Sequence, residues 1–310
     1  MKTNAIIRIV LFSILLVVLI GVLVLSVLGY MGFRAYSSLG ETGVSYEPVP
    51  AEHGTPVPAE NGAPVPKESN APVSGAETAP AASVRAEEIR ELEIKWVFGH
   101  VTIEAGDVEE IQFRETHSDR PMYWYVEEDT LTIQFWKGKW PIIGSFPSQY
   151  RKDLKITVPR SWVGGEISIE AVEADVDLRD LAAEELEFDG VSGSFDAENC
   201  RIGEVDMDTV SGNIRYTGTL TELDVDSVSA DCTLELTNVP REINMDGVSG
   251  DLDVTLPGDA GLDVKLSSAS GRLTTDFTGT QNGKTFRSGD GACRISVEGV
   301  SGNVTVRKAP

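Results

Sequence analysis

The chain has 310 residues, 49 of them acidic against 26 basic, for a formal net charge of −23 at pH 7. So acidic a balance counts against nucleic acid, anionic lipid and anionic wall polymers as direct partners unless cations bridge them. Three cysteines, at 200, 232 and 293, do not make the dense disulfide framework of a small secreted domain.

Residues 1–8 carry Lys2 and Arg8 and precede an uncharged run, Ile9 to Phe33, whose 25 residues can cross a hydrocarbon core as one helix. The run is longer than a signal-peptide apolar region, no small-x-small cleavage site follows it, and no cysteine stands near its end for lipidation. After Arg34 the next 50 residues hold six Glu and, of basic residues, Lys67 alone. The positive-inside bias predicts a single-pass signal anchor in the cell membrane, with a cytoplasmic N-terminus and an extracytoplasmic remainder. Residues 34–85 read as a linker. Pro-Val-Pro begins at Pro48, Pro56 and Pro64, and Pro72 continues the period of eight. With almost nothing apolar to bury, this stretch is expected to be an extended, semi-rigid spacer.

Residues 86–310 are the predicted head. All but six of the acidic residues and all but five of the basic ones fall here, so its charge is about −22. Val-Ser-Gly recurs around Ser192, Ser211, Ser249 and Ser301, with variants at Ser229 and Ser270 and degenerate copies centred on Phe98 and Glu173. Successive anchors from 173 to 270 are 19, 19, 18, 20 and 21 residues apart, and the last step is 31. A fixed period with apolar alternation inside each unit predicts an all-β fold, a parallel β-solenoid of about 20 residues per coil.

Apolar residues stand six, four and one positions before each serine and three and five after it, and these columns are expected inward. On that register Val248 faces the core between Val228 and Ala269, and Asp251 faces outward and tolerates replacement. Cys232 falls in an inward column, Cys200 in a turn and Cys293 near the start of the last coil, too far apart to pair, so free thiols are expected. Strand-like pieces at 111–113, 131–133 and 154–156 interrupt the repeat. They predict β-hairpins over 107–160 capping the N-terminal end, with regular coils over 161–310. Arg307, Lys308 and Pro310 follow the last coil and are expected to blunt an exposed edge.

The serines are not read as nucleophiles. A nucleophile elbow needs a strand-to-helix turn and a histidine partner, whereas no helical pattern follows any of these serines. The three histidines, His53, His100 and His117, all lie outside the Val-Ser-Gly copies. Ser and Gly at a bend are turn residues.

The iterated Asp-x-Val-Ser-Gly phrases at 189–193, 208–212 and 246–250, with Gly289-Asp290-Gly291 and then Val300-Ser301-Gly302-Asn303, carry a resemblance. Over 86–310 the chain resembles a bacterial envelope domain of unknown function labelled "putative adhesin", which includes LiaG-like proteins. The resemblance implies a membrane-tethered β-solenoid head, in some cases linked to envelope stress. It supplies no catalytic residue.

The reading is therefore a non-enzymatic extracytoplasmic head for binding, adhesion or an accessory role in envelope-stress signalling, with no catalytic or cofactor-binding residues. An envelope protein or cell-wall glycan is the expected partner, and nucleic acid is not. The competing reading is a carbohydrate-active lyase or hydrolase, since β-helices host such enzymes. It would require carboxylates and an Arg or Lys gathered in one pocket. Asp189, Asp208, Asp226 and Asp246 stand three positions before their serines as an outward acidic column. That column is either a solvated face or a site where Ca²⁺ or Mg²⁺ bridges coils, since hard cations prefer oxygen ligands. Phe135 to Lys152 carries four positive charges and no negative one. Its Trp136, Lys137, Lys139 and Trp140 either pack under the cap or contact a partner, aromatic and cationic side chains being usual interface anchors.

Overall fold

The computed structural model describes residues 82–116, 121–137 and 151–310. The expected membrane span at 9–33 lies outside them, and no helix among the described residues is long and apolar enough to cross a membrane. In chain order the first strands are β1 (Ala82–Arg85), β2 (Glu91–Gly106), β3 (Glu110–Glu115), β4 (Tyr123–Glu127), β5 (Thr130–Gln134) and β6 (Leu154–Pro159). The middle holds β7 (Gly164–Arg179), β8 (Ala182–Ser192), β9 (Phe195–Thr219) and β10 (Glu222–Leu236). The last are β11 (Glu242–Ser249), β12 (Leu252–Leu256), β13 (Leu262–Ser270), β14 (Leu273–Thr275), β15 (Thr280–Asn282), β16 (Thr285–Ser288), β17 (Cys293–Ser301) and β18 (Val304–Lys308).

These strands build the parallel solenoid that the period predicts. Each coil has two arms joined at the Ser-Gly bend, and each arm pairs in parallel with the same arm of its neighbours. Leu186 lies beside Val205 and Val205 beside Leu223, and past the bend Ile214 lies beside Cys232. Leu186, Phe188, Met207, Val225, Ile214, Cys232 and Leu234 are all buried, so the apolar columns of both arms close on one interior. Phe188 and Phe195, on opposite sides of one bend, pack with ring centroids 5.0 Å apart.

One column expected inward faces out. Val191 and Val210 are 49% and 48% exposed, and Val248 is only partly buried. The alternation of period two runs on from positions six and four before the serine to position two before it. That position is small or polar: Gly190, Thr209, Ser227, Gly247, Gly299. A Cβ on Gly190 would sit 2.7 Å from the Phe188 ring, so the bend interior has no room for a large residue. The valine after it must turn outward. The residue after the serine is equally constrained: Gly193 has φ 130° and Gly212 φ 151°. A Cβ on Gly212 would lie 2.0 Å from the Gly193 carbonyl oxygen of the preceding coil.

At both ends the spatial order departs from the chain order. β5 and β6 lie in parallel on the two arms of β2, with Leu131 beside Leu92 and Leu154 beside Val101. The segment expected as cap hairpins is thus an additional coil, trimmed by antiparallel pairs: β4 on β5, β3 on β6 and β1 on β3. Strand β1 also places residues 82–85 in the head, although the linker is expected to run to 85. At the other end β17 and β18 lie between β11–β12 and β13–β14, parallel to both. Val248 therefore neighbours coils 229 and 301, and not coil 270. Arg307 and Lys308 are internal to the stack, where Arg307 pairs with Asp253, and the exposed end is coil 262–275 with its β15–β16 hairpin.

The bend geometry predicts a contrast between two glycines. Gly212→Ala forces a side chain against a neighbouring carbonyl in a glycine-only backbone region and should cost about 2–4 kcal/mol in chemical denaturation. Gly283, with φ 61° and nothing within 4 Å of the place a Cβ would take, should lose about 1 kcal/mol as Gly283→Ala.

Candidate functional site

The first arm of every coil presents three outward positions, seven, five and three residues before the serine. Along coils 173 to 249 these read Glu166, Glu185, Glu204, Glu222 and Glu242, then Ser168, Glu187, Asp206, Asp224 and Asn244, then Glu170, Asp189, Asp208, Asp226 and Asp246. The parallel pairing keeps them in register: Asp189 beside Asp208, Asp208 beside Asp226, Asp226 beside Asp246. The result is a lattice of carboxylates at strand spacing, roughly 4.8 Å between coils. Cations close it at its ends: Lys95 bridges Glu93 and Glu170 at 2.8 Å each, and Lys265 reaches Glu298 at 3.2 Å. Burial alone would lower the Lys95 pKa, but its hydrogen bonds to Glu170 and Glu93 outweigh that and hold the ammonium above its ordinary range.

On the face itself Glu166, Asp189, Asp208, Asp224, Asp226 and Asp246 are each raised above the usual carboxylate range, first by desolvation and then by neighbouring carboxylates. The four aspartates considered as cation ligands thus stand one per strand, side by side and outward. Among the described residues no group of three or more His, Cys, Asp or Glu converges in a metal-holding arrangement.

Past the bend, a second set of polar side chains ties coil to coil. Asp175 accepts from the Ser194 amide at 2.9 Å and its hydroxyl at 2.8 Å, and Asp231 accepts from the Asp251 amide at 2.9 Å. Asp251, expected to be dispensable, accepts from the Asn303 amide at 2.7 Å, and Asn303 Oδ1 from the Arg272 amide at 3.1 Å. A short oxygen-bearing residue two positions after the serine was the available signal for this ladder. The serines themselves donate to the preceding coil, Ser192 Oγ to the Val172 carbonyl at 3.3 Å, as scaffold residues do.

On the second arm, Arg215 lies 3.0 Å from Glu235 and 3.8 Å from Asp196, on neighbouring coils. All three are about half exposed on an open face, so this carboxylate–arginine group is a surface ion-pair ladder and not an enclosed catalytic constellation. Cys200, Cys232 and Cys293 are free and buried, and burial pushes their thiols up to about 11, 12 and 12. Such thiols pack and do not react.

The additional N-terminal coil gathers the aromatics. Trp96 Nε1 donates to the Lys152 carbonyl at 3.0 Å, Trp162 Nε1 to the Ile89 carbonyl at 2.8 Å, and Phe135 packs edge-on to Trp96. Lys152, counted with the cationic loop in the sequence, is 3% exposed: its ammonium lies between the Trp96 and Phe135 rings and 2.5 Å from Glu115, itself 6% exposed. Burial holds the Lys152 pKa below its ordinary range, against the opposing pull of Glu115. Trp136 is half-buried against Phe135, and exposed Lys137 lies 5.3 Å from the Tyr123 ring centroid. Lys139 and Trp140 lie outside the described residues.

The profile of the Toastrack DUF4097 family matches residues 89–307. Solved structures similar to the chain include a "putative cell adhesion protein" from Clostridium sporogenes, 13% identical, covering 74% of this chain and 98% of its own, with a TM-score of 0.37. They also include a "putative adhesin" from Bacteroides fragilis, 14% identical, and one from Parabacteroides distasonis, 17% identical. Each of these covers 74% of this chain and 96% of its own, with a TM-score of 0.42. No curated protein matches the chain.

Two outcomes follow from this geometry. Glu115→Gln strips the counter-charge from a buried ammonium and should cost about 3–5 kcal/mol, whereas Glu115→Leu with Lys152→Met should be nearly neutral, both read from urea unfolding. The second concerns pH. Because folding raises the acidic-face pKa values, the folded head binds more protons than the unfolded chain just above the ordinary carboxylate range, and stability there falls as pH rises. Melting temperature should therefore climb on acidification from about pH 7 to about pH 5. Asp206, Asp208 and Asp226 changed together to Asn should flatten that climb, each stacked like-charge pair costing ~0.2–1 kcal/mol. Asp175 runs the other way: the Ser194 amide holds its carboxylate low, so its contribution is lost at still lower pH and the climb reverses.

Proposed function

The chain belongs to the Toastrack DUF4097 family, and from that premise we propose that its head is a non-enzymatic binding module displayed on the outer side of the cell membrane. In this reading residues 9–33 are the anchor and the proline-periodic segment lifts the solenoid from the bilayer. The observation that carries the reading is the register of the outward columns. When every third-before-serine residue lines up with its neighbour, one chemical group repeats at strand spacing along the whole face. A repeating surface suits an extended or polyvalent partner, because each coil adds a weak contact of the same kind.

The acidic lattice selects for cationic or cation-bridged partners, and excludes close approach of anionic ones by like-charge repulsion. The aromatic and cationic patch around Tyr123, Trp136 and Lys137 offers an anchor of different chemistry at the N-terminal end, toward an envelope protein or glycan. An accessory role in envelope-stress signalling would follow if the captured partner is a membrane regulator.

Two measurements on intact cells test this. Protease added outside should remove the head while leaving a membrane-embedded fragment; a head protected from external protease would overturn the topology. Cross-linking capture on intact envelopes should retain the partner with the parent chain. It should lose the partner when Trp136, Lys137, Lys139 and Trp140 are replaced together, with the melting temperature unchanged. Capture that survives the quadruple replacement removes that patch from the interface, and a large fall in melting temperature assigns it to packing.

A further inference from the structure

The coil formed by β17 and β18 lies in a slot between two coils that precede it in sequence. On one side it pairs with β11 and β12, on the other with β13 and β14, in parallel register throughout. The slot is chemically specific. Gly302 has φ 143°, and a Cβ there would stand 2.1 Å from the Gly250 carbonyl oxygen, while a Cβ on Gly271 would stand 2.0 Å from the Gly302 carbonyl oxygen. In this backbone conformation a side chain at that position would overlap the neighbouring carbonyl. Ile295, Val297, Val304 and Val306 fill the interior, each buried.

Charge points the same way. In a head of strong negative charge the inserted segment carries Arg294, Arg307 and Lys308 against Glu298 alone. Arg294 pairs with Glu242 at 3.3 Å, Arg307 with Asp253, and Asn303 with Asp251. The coil at 242–256 is thus an acidic edge fitted to a basic, glycine-bearing strand pair.

The connection into the slot is short. After β16, which pairs with the outer edge of β13, the chain reverses through Gly289 and Gly291, at φ 56° and 71°, and enters β17 on the inner edge. Residues 289–292 are the whole of that reversal. If it opens, every pairing of the inserted segment can be made with the slot of a neighbouring copy, and only the turn is lost. Short reversals of this kind favour exchange of an element between identical chains.

We propose that the slot between coils 242–256 and 262–275 is a self-recognition site whose second occupant is the 293–308 segment of another copy of this chain, exchanged reciprocally between heads. Until the segment inserts, β11 and β12 present open edges, and pairing across 52 residues of sequence is slow compared with pairing of adjacent coils. In that interval a neighbouring copy's segment competes on equal chemistry.

Asp246 and Glu298 are exposed Cα partners across the slot, so they report which chain occupies it. Full chains, one bearing Asp246→Cys and the other Glu298→Cys, are expressed together and treated with a short bis-maleimide; the native cysteines are buried. The expected result is a cross-linked pair of chains joined between the peptides holding 246 and 298, with the share rising when Gly289 and Gly291 are both changed to Ala. A chain carrying both cysteines provides the reference, since it links internally when its own segment fills its slot. Internal links in that chain, with no 246–298 link between chains either with or without the glycine changes, would overturn the proposal.

Discussion

The structure depends on backbone hydrogen bonding between parallel coils at one fixed spacing. Every residue of a coil lies beside its counterpart in the next, so whatever one coil does the next must repeat or accommodate. Apolar columns become a continuous interior for this reason, and so do the columns of carboxylates outside. The bend obeys the same constraint most tightly. There the chain of one coil passes so close to the carbonyl of its neighbour that Gly193, Gly212, Gly250 and Gly302 leave no space for a Cβ. Ala174 and Ala230 hold the equivalent place without a positive φ, so the bend has a second backbone solution.

Stacking like on like has an electrostatic cost. Carboxylates at strand spacing repel, and the acidic face is placed outward where water and salt screen most of that repulsion. Where the stack ends, the repulsion is relieved by cations, Lys95 at one end and Lys265 at the other. The Asp and Asn ladder past the bend uses short oxygen-bearing side chains differently: their oxygens accept amides of the next coil and tie coil to coil, and at Asp175 the Ser194 amide favours the ionised form.

The ends are irregular because a solenoid cannot leave its terminal edges bare. At the N-terminal end antiparallel strands and an aromatic cluster close the interior, with the Lys152–Glu115 pair enclosed by Trp96 and Phe135. At the other end the β15–β16 hairpin covers β13, and the following strand pair returns into the stack. Both ends therefore bring together residues distant in sequence, whereas the middle coils are built from near neighbours.

The sequence alone determined the repeat, its period, the parallel all-β architecture and most of the inward columns, because periodicity of apolar residues is a local property that each coil writes independently. It placed Leu186, Met207, Val225, Cys232 and Leu234 correctly, and it identified the serines as bend residues. The tertiary structure decided what periodicity cannot encode. It turned Val191 and Val210 outward, since the space inside the bend admits only a small residue next to Phe188. It buried Lys152, whose partner Glu115 lies 37 residues away on a strand that only the fold brings near. It set the spatial order of the last coils, because the 264–275 and 295–306 units carry nearly the same pattern and either could follow coil 249. Which one does depends on edge pairing and charge between segments far apart in the chain, and no window of sequence contains both.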